Sequence, residues 1–159
     1  MRHVAFEPAQ PLDTGGMPWI PTRPGKSFRP LRFAADGWSE LMRLEPGSAV
    51  ALYCHTREVH AFNLAGTREI FGTGERVGPG SYVYEPAGTV DGWGAIGDEP
   101  CMVHIKVVGS IEYLGGNGQV IDSVNAETQR ALYLAWCREL ARTQHSRSSA
   151  ERRQEGRRT

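Results

Sequence analysis

The 159-residue sequence predicts an all-β fold, an antiparallel sandwich or jelly-roll barrel, preceded by a proline-rich arm and followed by one helix. Three observations predict it. Between residues 31 and 122, short apolar runs alternate with polar residues at the two-residue period of a strand. Turn residues separate these runs at even spacing, and none of this region keeps a helical period. From residue 123 to 143 the period changes to three and four, placing Leu132, Tyr133, Trp136, Cys137 and Leu140 on one helical stripe.

The arm, residues 1–30, carries prolines at 8, 11, 18, 21, 24 and 30. Proline lacks an amide donor and fixes its own φ, so neither a helix nor a central strand is expected here. Trp19, Ile20 and Phe28 are too apolar for a purely solvated segment. The arm is therefore expected to lie across a sheet edge or a partner subunit, with a homodimer as the expected assembly. Strands are expected over 38–44, 50–55, 59–64, 67–71, 81–85, 101–108 and 110–114. Ala65-Gly66-Thr67 and Gly72-Thr73-Gly74-Glu75 form turns between them. Ser123 or Asn125 caps the helix and Glu127 suits its positive end. The helix is expected to pack on the outside of the barrel. Residues 144–159 are Arg, Ser, Glu and Gln without an apolar anchor, which predicts a disordered tail.

Composition narrows the function. The chain is 40% hydrophobic and 23% charged with no net charge, so no basic field points to nucleic acid or a membrane surface. No apolar run reaches the ~18 residues of a spanning helix, and no charged-then-apolar leader opens the chain. Three cysteines (Cys54, Cys101, Cys137), an odd number without paired spacing, favour a reducing compartment. The expectation is a cytoplasmic protein whose partner is a small molecule.

The chemistry concentrates in two stretches, Gly47 to Gly66 and Gly80 to Asp91. In the first, Tyr53 and His55 share a strand face, with Leu52 and Cys54 on the other. His60 opens the next run, and His104 sits in a later strand beside Met102 and Lys106. In the second, a Pro86-Ala87-Gly88 turn leads to Asp91. Imidazoles and a carboxylate hold divalent metals, so His55, His60, His104 and Asp91 are candidate ligands, with Fe(II) the leading ion. The alternative is a metal-free cluster in which Tyr53, His55, His60 and Asp91 move protons near neutral pH. Phe62, Tyr82, Tyr84 and Trp93, with Tyr53, either line a substrate pocket or are core residues.

The frame of these stretches resembles the two motifs of the cupin superfamily. The first motif runs glycine, five residues, His-x-His, three or four residues, Glu, then about six residues to a glycine. Here Gly47 leads to Tyr53-Cys54-His55, then His60 and Gly66. The second runs glycine, five residues, Pro-x-Gly, two residues, His, and here Gly80 leads to Pro86-Ala87-Gly88 and Asp91. Of the four usual ligand positions only His55 matches; Tyr53, His60 and Asp91 replace the others. The strings HTREVHAFNLAG and GSYVYEPAGTV resemble the 2,4'-dihydroxyacetophenone dioxygenase group, related to the cupin half of ChrR-type anti-sigma factors. The resemblance implies a jelly-roll barrel, a bound divalent metal and oxygenase-like chemistry on a hydroxy-ketone, diketone or aromatic compound. A metal-independent cyclase, isomerase or dehydratase, or a ligand-sensing barrel without turnover, are the alternatives.

Overall fold

The computed structural model describes residues 9–155. In chain order its elements are β1 (Ile20–Arg23), β2 (Lys26–Ala34), β3 (Gly37–Leu44), β4 (Ala49–His55), β5 (Val59–Ala65) and β6 (Thr67–Ile70). They continue with β7 (Arg76–Val77), β8 (Tyr82–Glu85), β9 (Val90–Ile96), β10 (Cys101–Val108), β11 (Ile111–Leu114), β12 (Val120–Val124) and α1 (Ala126–Glu155). The strands form two antiparallel six-stranded sheets, ordered β1-β2-β3-β10-β5-β8 and β12-β11-β4-β9-β6-β7. This is the jelly-roll that the alternating runs predict, with the inner faces of both sheets closing one core.

Period-two alternation decides what that core contains. Trp38, Glu40, Met42 and Leu44 of β3 point inward, as do Cys101, Val103, Ile105 and Val107 of β10. Val59, Ala61 and Asn63 of β5 face them in register, Val103 opposite Met42 and Asn63. In β4 the parity changes: Val50 is buried and so are Tyr53 and His55, an odd step apart. The β4–β9 register slips between Val50 and Tyr53, and this bulge re-aims Tyr53 and His55 into the barrel. Gly66 joins β5 to β6, one strand in each sheet, at φ 63°. A Cβ there would collide with the Pro100 carbonyl oxygen, so the corner between the sheets requires glycine.

The ends differ from expectation. Part of the predicted arm is sheet: β1 and most of β2 fall within residues 1–30, and β2 lies between β1 and β3. The prolines are accommodated because of where they fall. Pro21 is on the edge strand β1, and β1 pairs with β2 only as far as Phe28, leaving that side of Pro30 unpaired, where no amide donor is needed. Next to Pro30 the β2–β3 register slips, which absorbs the remaining misfit. Residues 1–8 of the arm lie outside the described residues. The helix also runs past its expected end at 143, to Glu155, so the predicted disorder of 144–155 gives way to helix; residues 156–159 lie outside the described residues. Asn125, not Ser123, is its cap: the Thr128 amide donates to Asn125 Oδ1 at 3.0 Å while the Asn125 amide donates to Thr128 Oγ1 at 2.9 Å. Gln129 ties the helix to β3 by donating to Glu40 at 2.9 Å, and Tyr133 stands 6.4 Å from the Phe33 ring of β2. Among the described residues no helix is long and apolar enough to cross a membrane.

Candidate active site inside the barrel

Three side chains from two sheets meet in the core. His55 Nε2 lies 2.8 Å from Glu85 Oε2, with side-chain exposures of 4% and 11%. The Tyr53 hydroxyl donates to the same carboxylate at 3.3 Å, and the Tyr53 and His55 rings stand 4.7 Å apart. β4 supplies Tyr53 and His55 through its bulge. β8 supplies Glu85, its last residue, because Tyr82 and Tyr84 take the outward parity. Burial, with the Glu85 charge next, pushes the Tyr53 pKa far up, so the phenol keeps its proton at all working pH.

Arg68 of β6 completes the cluster. It is 1% exposed, and its guanidinium carbon sits 4.7 Å above the Trp93 ring. Burial lowers its pKa, while Tyr53 and Glu85 favour its charge, and a guanidinium stays protonated through the working range. Around these groups is a cavity of about 30 Å³, room for one or two water-sized groups. Val50, Val59, Ala61, Trp93, Ile105 and Val107 supply much of its wall. A second, outer cleft of about 160 Å³ extends to α1 and shares Lys26, Glu40, Met42, Ile111 and Tyr113 with the interior cavity. These five side chains are the partition between the two. Lys26 Nζ donates to the Tyr113 hydroxyl at 3.1 Å across it. Glu40 accepts from Trp38 Nε1 at 2.8 Å and from Gln129, and burial raises its pKa against the opposing pull of Lys26.

The predicted site residues divide by strand parity. Tyr53, His55 and Trp93 line the interior together. His60 does not: Val59 and Ala61 take the inward positions of β5, and His60 Nδ1 bonds the Tyr82 hydroxyl at 2.6 Å on the outer face. Phe62, Tyr82 and Tyr84 are likewise outside, with Tyr82 57% exposed, so they form no wall of this cavity. His104 has the parity opposite to Val103 and Ile105 and faces out opposite Phe62. Asp91 stands across from Tyr53 in the β4–β9 register, but its Oδ1 accepts the amides of Gly72 at 2.9 Å and Gly92 at 2.6 Å. It anchors the β6–β7 turn, where a Cβ on Gly72 would crowd its carboxylate.

The four expected metal ligands, His55, His60, His104 and Asp91, therefore do not converge. Among the described residues no group of three or more His, Cys, Asp and Glu is placed to hold an ion. The interior offers one imidazole bonded to the Glu85 carboxylate, a second carboxylate, Glu40, committed to Trp38 and Gln129, a phenol that resists ionisation, and a guanidinium whose charge repels a second cation. This donor set does not fit the divalent metal that the fold family implies. What it can do is hold and move protons in a largely buried site.

Glu85 and Arg68, like Glu40 and Lys26 in the partition, escaped the sequence reading. Glu85 lies in the string GSYVYEPAG, and the two-residue period could have found it: if Tyr82 and Tyr84 face out, Val83 and Glu85 face in. Arg68 left no such mark, since Thr67 to Ile70 carries charge on both faces and nothing in its pattern requires a buried cation.

The likeness to known proteins agrees with this architecture. The chain belongs to the ChrR cupin-like domain family, whose sequence model matches residues 9–110. No curated protein matches it. An RmlC-like cupin protein from Ralstonia eutropha JMP134 is 22% identical with a TM-score of 0.77, over 82% of this chain and 87% of that one. An acetylacetone dioxygenase from Acinetobacter johnsonii is 19% identical with a TM-score of 0.70, over 85% and 95%. The polyketide cyclase RemF from Streptomyces resistomycificus is 16% identical with a TM-score of 0.58, over 74% and 84%. At these identities the likeness establishes the fold.

Proposed function

We propose that this protein is a small-molecule enzyme whose barrel interior performs general acid–base chemistry on a carbonyl compound, without a metal. The substrate class is a small hydroxy-ketone or diketone, of which the cavity of about 30 Å³ admits only the reacting carbonyl and α-carbon, and the first step is enolisation, from which isomerisation or dehydration can follow. The single observation that carries this reading is the buried His55–Glu85 contact at 2.8 Å with the Tyr53 hydroxyl on the same carboxylate. A carboxylate oriented by an imidazole is placed to remove a proton from carbon and to return it, and the Tyr53 hydroxyl, held neutral, orients that carboxylate with a hydrogen bond. Apolar walls around the cluster keep water from competing for either transfer. The fold is shared with an acetylacetone dioxygenase and a polyketide cyclase, which supports a carbonyl compound as the substrate class.

The test is deuterium exchange at the α-carbon of hydroxyacetone in D₂O, followed by proton NMR. The parent protein should accelerate exchange. Glu85→Gln should lower that acceleration by about 10²-fold or more, the usual contribution of a positioned base. Tyr53→Phe should lower it less. Exchange no faster than in buffer, with dihydroxyacetone and 2-hydroxyacetophenone equally inert, would remove the reading.

A further inference from the structure

Arg68 has an unexplained feature. Its Nε and Nη2 are buried and find no acceptor among the described residues. The contacts that do account for Arg68 use other parts of the group. Trp93 takes the face of the guanidinium, and the Glu85 carboxylate favours its charged form, with no side-chain oxygen of Glu85 or Tyr53 bonded to it. The N–H edge is left over. A buried cation with unused donors lowers stability. A purely packing role over Trp93 would be served without that penalty by a side chain such as methionine. Arg68 also lines the same small cavity as His55, Tyr53 and Glu85, so the unpartnered donors belong to a side chain that borders the chamber where the base is.

We infer that Arg68 is the electrophile of this site, its Nε–H and Nη2–H donors receiving the substrate's carbonyl oxygen as that oxygen becomes an enolate. This rests on the acid–base reading above and adds to it the group that stabilises the developing charge. In the step, Glu85 accepts the α-proton and the C–H electron pair becomes the C=C bond. The C=O π pair moves onto oxygen, between the two guanidinium donors. Return of the proton to the same carbon re-forms the C–H bond and the C=O and restores Glu85, so the step needs no oxidant or co-reactant. Fixed donors in a dry site are worth most where charge develops. The ligand class follows: a small carbonyl compound with a C–H beside the C=O, and, as mimics of its enolate, planar carboxylates of similar size.

The experiment uses acetate and its neutral isostere acetamide as probes of the full-length protein. The readout is the Arg68 Nε–H resonance in ¹H–¹⁵N spectra, assigned by its loss in Arg68→Met. Acetate should shift this resonance in a saturable manner. Acetamide should bind roughly 10- to 100-fold more weakly, as loss of charge-assisted hydrogen bonds implies. Arg68→Lys, which keeps charge but loses the fork, should weaken acetate to a similar degree, read by titration calorimetry of both proteins. Glu85→Gln should retain or tighten acetate binding while losing α-proton exchange. An Arg68 resonance indifferent to acetate, or equally responsive to acetamide, overturns the inference even if exchange is catalysed. Acetate binding at Arg68 with no catalysed exchange would instead sink the acid–base reading and leave an anion site.

Discussion

Replacing Glu85 by alanine tests the internal logic of the site. The carboxylate is 11% exposed, bonded to His55 at 2.8 Å and to Tyr53 at 3.3 Å, and shares a cavity with a buried guanidinium. Removing it leaves an imidazole nitrogen, a phenol and a cation without their counterpart. Breaking a buried charged pair at one partner costs about 3–5 kcal/mol. A domain holds roughly 5–15 kcal/mol in all, so the variant should fold but be visibly weakened. At this chain length each kcal/mol is worth about 2–4 °C, giving a fall in Tm of roughly 6–20 °C. Urea denaturation should show a lower midpoint at unchanged slope. The pairwise part is isolated by adding His55→Ala, alone and in combination. The two losses should sum to more than the double variant loses, by roughly 1–3 kcal/mol. A Glu85→Ala loss below about 1 kcal/mol, the range of an exposed charge, would refute the buried-cluster description. Additivity within about 0.5 kcal/mol would refute the contact itself.

Other parts of the structure make independent predictions. Burial raises the Glu40 pKa above its ordinary 4.5, so the stability this group contributes is full below that value and is lost as pH rises through the folded-state pKa. In that window the parent should lose stability relative to Glu40→Gln at up to about 1.4 kcal/mol per pH unit, measured by urea melts across pH. Equal pH slopes in the two proteins would contradict it. Asn125→Ala removes the cap of α1 and should lower stability by about 1 kcal/mol, read as helical signal lost on heating. His60→Ala and His104→Ala alter only the outer face, so each should leave α-proton exchange within about twofold of the parent and stability within about 0.5 kcal/mol. A large loss of exchange in either would bring the outer histidines back into the site.

Much of the fold was legible because it rests on periodicity. Alternation in 38–44 and 101–108 is what buries Trp38, Met42, Val103 and Ile105, and the change of period marks the start of α1. The arm was misjudged because the reason prolines avoid central strands is local. β2 has a neighbour on each side as a whole, yet the outer side of Pro30 itself is free. The site was half legible for a related reason. The His-x-His frame led to Tyr53 and His55, and both line the interior because they share one strand face. The frame misled at His60 and Asp91, because spacing along the chain cannot reveal that Val59 and Ala61 take the inward positions, or that a turn claims a carboxylate. Arg68 and Glu85 meet only through the packing of two sheets, and no local pattern announces such a meeting.

The account's central claim is that the interior residues themselves perform the chemistry. The most direct measurement is hydroxyacetone α-proton exchange by protein dialysed against a strong chelator, compared with the same sample after anaerobic addition of Fe(II). The account predicts an exchange rate that chelation does not lower and Fe(II) does not raise, while Glu85→Gln reduces it by about 10²-fold or more. Exchange that vanishes on chelation and returns with Fe(II) would contradict the claim and make the metal, not the His55–Glu85 pair, the working part of the site.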